Sequence, residues 1–174
     1  MIILGIDPGY DRVGVGIIEK TNNLDKYVFS ACIETDKKNT FVNRLSQINR
    51  DLSLILNKYQ PDLLVVESLF FAKNVKTAID VSQARGSILL TLNIYKEKNA
   101  SRCISILELT PMQIKSSISG DGHANKKSVS YMVYQILKLD NNHNFKNKNK
   151  ILDDEIDALS ISLAGYQYQK LAKY

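Results

Sequence analysis

Cysteine and histidine are scarce in this chain, two of each among 174 residues, and that scarcity closes off several chemistries. Cys32 and Cys103 stand alone in apolar stretches with no Cys-x-x-Cys spacing. Neither a disulfide framework nor a cysteine-based zinc site is on offer, and both read as plain core residues. Long apolar runs are missing as well. None reaches the roughly 18 residues a membrane-spanning helix needs, and the chain starts on a strand-like run instead of a charged segment followed by a signal-type apolar core. The expected location is cytoplasmic, with no membrane partner.

The 174 residues, 44% of them hydrophobic, suit one packed core and leave little room for a second, so residues 1–174 are expected to form a single domain. Lysine and arginine total 23 against 18 acidic residues, a net charge of +5 with a pI near 9.1. That balance is compatible with a polyanionic partner without demanding one. Placement is more informative than the total. Lys73, Lys76, Arg85, Lys115, Lys126, Lys127, Lys146, Lys148 and Lys150 fall in or beside expected loops, while several acids fall within or at the ends of apolar segments. Basic rims around acidic centres are what a nuclease needs.

Residues 2–7 (IILGID) form an apolar run closed by Asp-Pro-Gly, and residues 13–18 and 27–34 alternate or run apolar with β-branched side chains, which gives three strands. From Phe41, apolar residues recur at Leu45, Ile48, Leu52, Ile55 and Tyr59, one stripe of a helix stopped by Pro61. Residues 63–67 (LLVVE) read as a buried strand, and a helix follows from about Val75 to Lys96. Gly86 inside that helix costs about 1 kcal/mol relative to alanine, so close packing is expected there. Residues 103–109 read as a fifth strand. Thr110-Pro111 opens a short helix closed by Gly120, and Asn125 caps a longer one through Leu139. Residues 140–150 are polar and rich in Asn and Lys, so a mobile loop without packed structure is expected over about 140–152. A last helix starts near Asp153. Strands first and then an alternation of helices and strands imply α/β architecture, a mixed sheet flanked by helices.

Asp7 ends one buried strand and Glu67 another, so both carboxylates come to the sheet margin, where pockets of open α/β sheets lie. Asp154 and Asp157 are three apart at a helix start and share one face, where two acids repel unless a cation lies between them. Each acid alone has a plainer reading: Asp7 as a turn residue, Asp153 and Asp154 as helix caps, Glu67 as half of a buried ion pair. The four together argue for a metal. Hard carboxylate oxygens suit Mg²⁺, with Mn²⁺ as a substitute, and two such ions per site activate water and stabilise a leaving oxygen at a phosphate. Phosphodiester hydrolysis is the reaction this set serves.

The stretches GIDPGYDRVGVGII (5–18), VVESLFFAKNVKTAIDVSQARG (65–86), LTPMQIKSSISGDGHANKKSV (109–129) and DDEIDALSISLA (153–164) resemble, in order, those of the RuvC crossover junction endodeoxyribonucleases. The resemblance spans about residues 1–165. DPG alone is weakly specific; the second stretch is highly so. The resemblance implies a ribonuclease H-like fold with a five-stranded mixed sheet, and Asp7, Glu67, Asp154 and Asp157 as the metal-binding catalytic acids. It further implies that Phe70 stacks near the junction centre, that Lys73, Lys115 and Lys126 bind DNA, and that Lys115 and Lys126 hold phosphates near the scissile bond.

Family members act as homodimers that nick opposing strands of a four-way (Holliday) junction symmetrically in recombination and repair. RuvA and RuvB, the branch-migration proteins, are the partners implied. Phe71 competes with Phe70 for the stacking role, Lys127 with Lys126, and Asp153 with Asp154, although only Asp154 keeps the three-residue spacing to Asp157 and leaves Asp153 as the helix cap. His123 could touch DNA or assist proton transfer, although an exposed loop histidine is more often neither. The loop before DDEID looks longer and richer in Asn and Lys than the family's usual.

Rival readings are an actin-like ATPase or sugar kinase, a junction-binding protein without catalysis, and a nuclease for another branched or RNA-containing substrate. The first needs two such domains closed on a nucleotide, and 174 residues make one. The expected mechanism is in-line attack of water on a junction phosphate, with Asp7 bridging the metals.

Overall fold

The computed structural model describes residues 1–22, 24–68, 75–142, 145 and 152–171. Among them are strands β1 (Ile2–Asp7), β2 (Arg12–Lys20), β3 (Asp25–Glu34), β4 (Leu63–Glu67) and β5 (Ser105–Leu109). The helices are α1 (Phe41–Tyr59), α2 (Val75–Lys98), α3 (Pro111–Ser119), α4 (Lys126–Leu137) and α5 (Asp153–Leu171), with a 3₁₀ turn at Leu139–Asn141. The strands form one mixed sheet in the order β3-β2-β1-β4-β5. β1, β2 and β3 pair antiparallel through tight connections, whereas β4 and β5 run parallel to β1 because helices carry the chain back across the sheet. The expected mixed sheet with flanking helices is what forms.

Alternation along the strands divides the core in two. Leu4, Ile6, Val15, Ile17, Leu64 and Val66 pack with Ile48, Leu52 and Leu56 of α1 and Ala84, Ile88 and Leu92 of α2. Ile3, Ile18, Leu63 and Val65 face the opposite way, onto α3, α4 and α5. Thr110 caps α3 with a capping box, Pro111 sits at its start and Gly120 ends it at φ 77°. Asn125 caps α4, accepting from Ser128 N–H, as expected. That helix ends at Leu137, earlier than the expected Leu139, because Lys138 turns left-handed at φ 51°.

Helix α5 lies against β1 and β2 with almost nothing between the backbones. A Cβ built on Gly5 would stand 2.3 Å from the Ala158 carbonyl oxygen, and one on Gly16 would stand 2.6 Å from Leu159 N. Only glycine permits this approach. Ser162, wholly buried at the contact, donates to the Gly16 carbonyl at 2.8 Å.

Several expectations fail in detail. Cys103 is exposed and Cys32 only half-buried, since β5 begins at Ser105 and Cys103 falls in the turn before it. Gly86 is not tightly packed: a Cβ there would meet nothing within 4 Å, because it faces outward from α2. Of the expected loop at 140–152, positions 143–144 and 146–151 lie outside the described residues, but the described Phe145 is packed. Phe145 is 2% exposed and meets Tyr27 and Tyr134 edge-on, since an aromatic ring gains more from that pocket than from water. Leu152, not Asp153, is the residue before α5, and its N–H is met by Glu155 Oε1 at 3.3 Å. No helix among the described residues is long and apolar enough to cross a membrane.

Candidate metal centre and nucleic-acid interface

The parallel pairing of β1 with β4 puts Ile6 opposite Val66, so Asp7 and Glu67 are the next residues out along two adjacent strands. Their carboxyl groups are close enough for each to perturb the other's ionisation. Burial, then the charges of Asp157 and Asp154, lift the Asp7 carboxyl to about 6. Burial, then Asp7 and Asp157, lift Glu67 to about 7, and the Lys115 ammonium works in the other direction.

The glycine-permitted contact of α5 brings Asp157 to the same place and Asp154 near it. Asp157 joins Asp7, Glu67, Lys115 and Lys126 in lining a cleft of about 280 Å³, floored by Ile114, Val129 and Ile161. Burial raises the Asp157 carboxyl, opposed by Lys126, whose Nζ donates to Oδ2 at 2.7 Å. The same ammonium stands 3.6 Å from Asp153. Burial works against the charge of Lys126, but the hydrogen bond and charge of Asp157, then Asp153, keep it above the ordinary lysine value.

Asp154 does not line the cleft; it stands on the other flank of the first turn of α5, near enough to raise Asp7 through its charge. Its Oδ2 is buried without a hydrogen bond, and Arg12 Nε approaches it to 3.4 Å. Asp153 is largely in solvent, its side chain 84% exposed. Glu155, 3% exposed, accepts from Ser30 Oγ at 2.6 Å and so pins the start of α5 to β3. The three consecutive acids therefore have three different surroundings.

Among the described residues, no three acidic, histidine or cysteine side chains close into a finished coordination sphere. The donor set nevertheless suits a hard divalent cation. Two carboxyls are held above their ordinary range by burial and mutual repulsion, and one buried carboxylate oxygen lacks a donor. A cation relieves all three.

Of the expected DNA-binding residues, Lys115 and Lys126 lie in the cleft. Phe70 and Lys73 lie outside the described residues, as does Phe71. Lys127 and His123 are exposed and outside the cleft lining. Arg85 is not beside a loop but in α2, where it pairs with Glu108 and donates through Nε to the Glu67 carbonyl at 3.4 Å.

Supporting residues escaped the sequence reading. Arg44, 7% exposed on the apolar side of α1, donates to Thr35 Oγ1 at 2.8 Å and pairs with Asp11. Its guanidinium lies 3.7 Å over the Tyr10 ring, which clamps the turn following Asp7. The available signal was an arginine one position off an apolar stripe.

Comparison with known proteins places this geometry among relatives. The family model for "Crossover junction endodeoxyribonuclease RuvC" matches residues 3–164. The protein of that name from Halothermothrix orenii is 42% identical, covering 100% of this chain and 98% of its own length. The one from Thermosipho melanesiensis is 41% identical over 93% of this chain and 94% of its own. Among solved structures, Thermus thermophilus RuvC in complex with Holliday junction substrate superposes with a TM-score of 0.84 at 25% identity, covering 99% of this chain and 96% of that one. A yeast mitochondrial Holliday junction resolvase, 17% identical, covers 98% of this chain and 81% of its own with a TM-score of 0.63, and shares the fold.

Proposed function

This chain belongs to the family of RuvC crossover junction endodeoxyribonucleases, and from that membership and the cleft we propose that Asp7, Glu67, Asp154 and Asp157 form its metal-dependent catalytic centre. The protein is a structure-selective endonuclease with a ribonuclease H-like fold that resolves four-way DNA junctions in recombination and repair. The observation that carries the assignment is the convergence of Asp7, Glu67 and Asp157 in one cleft, beside the donor-starved Asp154 oxygen.

Asp7, Glu67, Asp154 and Asp157 would hold Mg²⁺ or Mn²⁺, two ions per site, which supply charge neutralisation at the phosphate and lower the pKa of attacking water. The chain's own residues do the rest. Lys115 and Lys126 hold phosphate oxygens at the cleft mouth, and the apolar floor keeps bulk water from competing. Burial and mutual repulsion hold the Asp7 and Glu67 carboxyls above the ordinary range, so binding of a cation there would release protons. Phe70 and Lys73, close in sequence after Glu67, would meet the junction centre and its backbone.

Two copies acting together account for symmetric nicking, and α2 favours a homodimer. Ile79, Leu90 and Ile94, 53%, 60% and 38% exposed, flank outward-facing Gly86 on one side of that helix. A glycine with open space above it inside an apolar stripe allows another helix to approach closely. Action on junctions handed over by RuvA and RuvB in the cytoplasm completes this reading.

The test is cleavage of a labelled synthetic four-way junction beside a linear duplex of the same sequence, with Mg²⁺ and with chelator. Paired symmetric nicks confined to the junction and to the metal are expected. Equal cutting of the duplex would remove the junction assignment.

A further inference from the structure

The acid cluster has two basic flanks, and the second involves a residue to which no role has been given. Lys126 engages Asp153 and Asp157 from α4. On the opposite flank, Arg12 at the start of β2 approaches Asp154 Oδ2 through Nε, at 3.4 Å and without an aligned hydrogen bond. Its side chain is 50% exposed. Among the described residues this is its one ion pair, and no acceptor takes its Nη hydrogens. The turn that presents it is stiff. Thr35 N–H donates to the Asp11 carbonyl at 3.0 Å, and buried Arg44 braces both Tyr10 and Asp11.

We infer that Arg12 is a further DNA-binding residue, whose outward Nη groups grip a phosphate of the cleaved strand on the side of the acid cluster away from Lys115 and Lys126. Three observations converge on a phosphate. The backbone leading into Arg12 is held by a braced turn, so no chain segment has to order on binding. The free edge of the guanidinium carries a planar pair of N–H groups, which matches two phosphate oxygens. And it pairs with Asp154 at the edge of the acid cluster, where a cation offsets the repulsion a polyanion would meet. With Lys126 on one flank and Arg12 on the other, a strand crossing the cleft has a backbone contact on each side of the acids. The alternative is that Arg12 acts only as a counter-charge that positions Asp154.

The inference rests on the reading as a junction nuclease, and the test separates the two. Wild type, Arg12→Gln and Arg12→Lys are titrated against a four-way DNA junction in Ca²⁺ over a range of salt. Binding of Mn²⁺ is measured separately by electron paramagnetic resonance, with thermal melting as a check on folding. Arg12→Gln is expected to reduce the salt slope by about 0.9 for each Arg12 engaged, about an eight-fold loss of affinity per contact at 0.1 M salt. Mn²⁺ binding should stay near wild type, and Arg12→Lys should recover most of the slope. An unchanged slope overturns the inference, whether or not Mn²⁺ binding falls; a fall would assign Arg12 to Asp154 alone. A wild type that does not prefer the junction would overturn the functional reading itself.

Discussion

Asp7 and Glu67 show at single-residue scale how burial prepares a site for a cation. Their folded values of about 6 and about 7 stand above those of unfolded carboxylates. Between the ordinary carboxylate range and neutrality the folded state therefore binds more protons than the unfolded chain, and stability falls as pH rises. With chelator present, the melting temperature should drop on going from pH 5 to pH 8, a loss on the order of a few kcal/mol shared by the two groups. Glu67→Gln should flatten that dependence, and saturating Mg²⁺ should restore stability at pH 8. A melting temperature that rises across this window without metal would contradict the electrostatics described here.

Arg44 belongs to the same scale with the opposite sign. Its hydrogen bonds, first, and then Lys37 hold the Asp11 carboxyl below the usual range. Arg44→Met removes the buried guanidinium's bonds to Thr35, Tyr10 and Asp11, while Asp11 keeps Lys37 and solvent, and should cost about 1–2 kcal/mol in denaturant unfolding. Loss of less than about 0.5 kcal/mol would mean that the turn after Asp7 is held by other contacts.

Among the elements, α5 decides whether there is a site at all. Gly5→Ala drives a Cβ into the Ala158 carbonyl and should destabilise by about 2–4 kcal/mol, weakening Mn²⁺ binding in whatever folds because Asp154 and Asp157 travel with the helix. Much of this scale was legible in the sequence. Apolar runs ending in Asp7 and Glu67 placed both at adjacent strand ends, and helical spacing brought Asp157 to the same cleft, whereas Asp154 lies outside its lining; strand ends and helix faces are local periodicities.

What was illegible is non-local. The glycines that admit α5 are far from it in sequence, so nothing near Asp154 announces how close it comes to β2. The Glu155 contact with Ser30 spans 125 positions, and burial of Phe145 depends on a pocket made by Tyr27 and Tyr134. Gly86 was misjudged for the related reason that a helix's periodicity does not say which of its faces the chain itself will cover.

At the scale of the whole molecule, the exposed face of α2 is where the proposed homodimer is tested. Gly86→Arg introduces a long charged side chain into open space, so the fold should survive with less than about 1 kcal/mol of change. Sedimentation should then report a monomer, and paired nicking should give way to single nicks or none. A variant that remains dimeric with paired nicks would move the interface elsewhere.

The most direct test of the account compares wild type with Asp7→Asn on one four-way junction, measuring the fraction bound and the fraction cut in Mg²⁺. In the proposed site Asp7 is a metal ligand, whereas Arg12, Lys115 and Lys126 are assigned to the DNA backbone. The account predicts that Asp7→Asn binds the junction as wild type does and leaves it uncut. Cutting by a folded Asp7→Asn protein at near wild-type rate would contradict it.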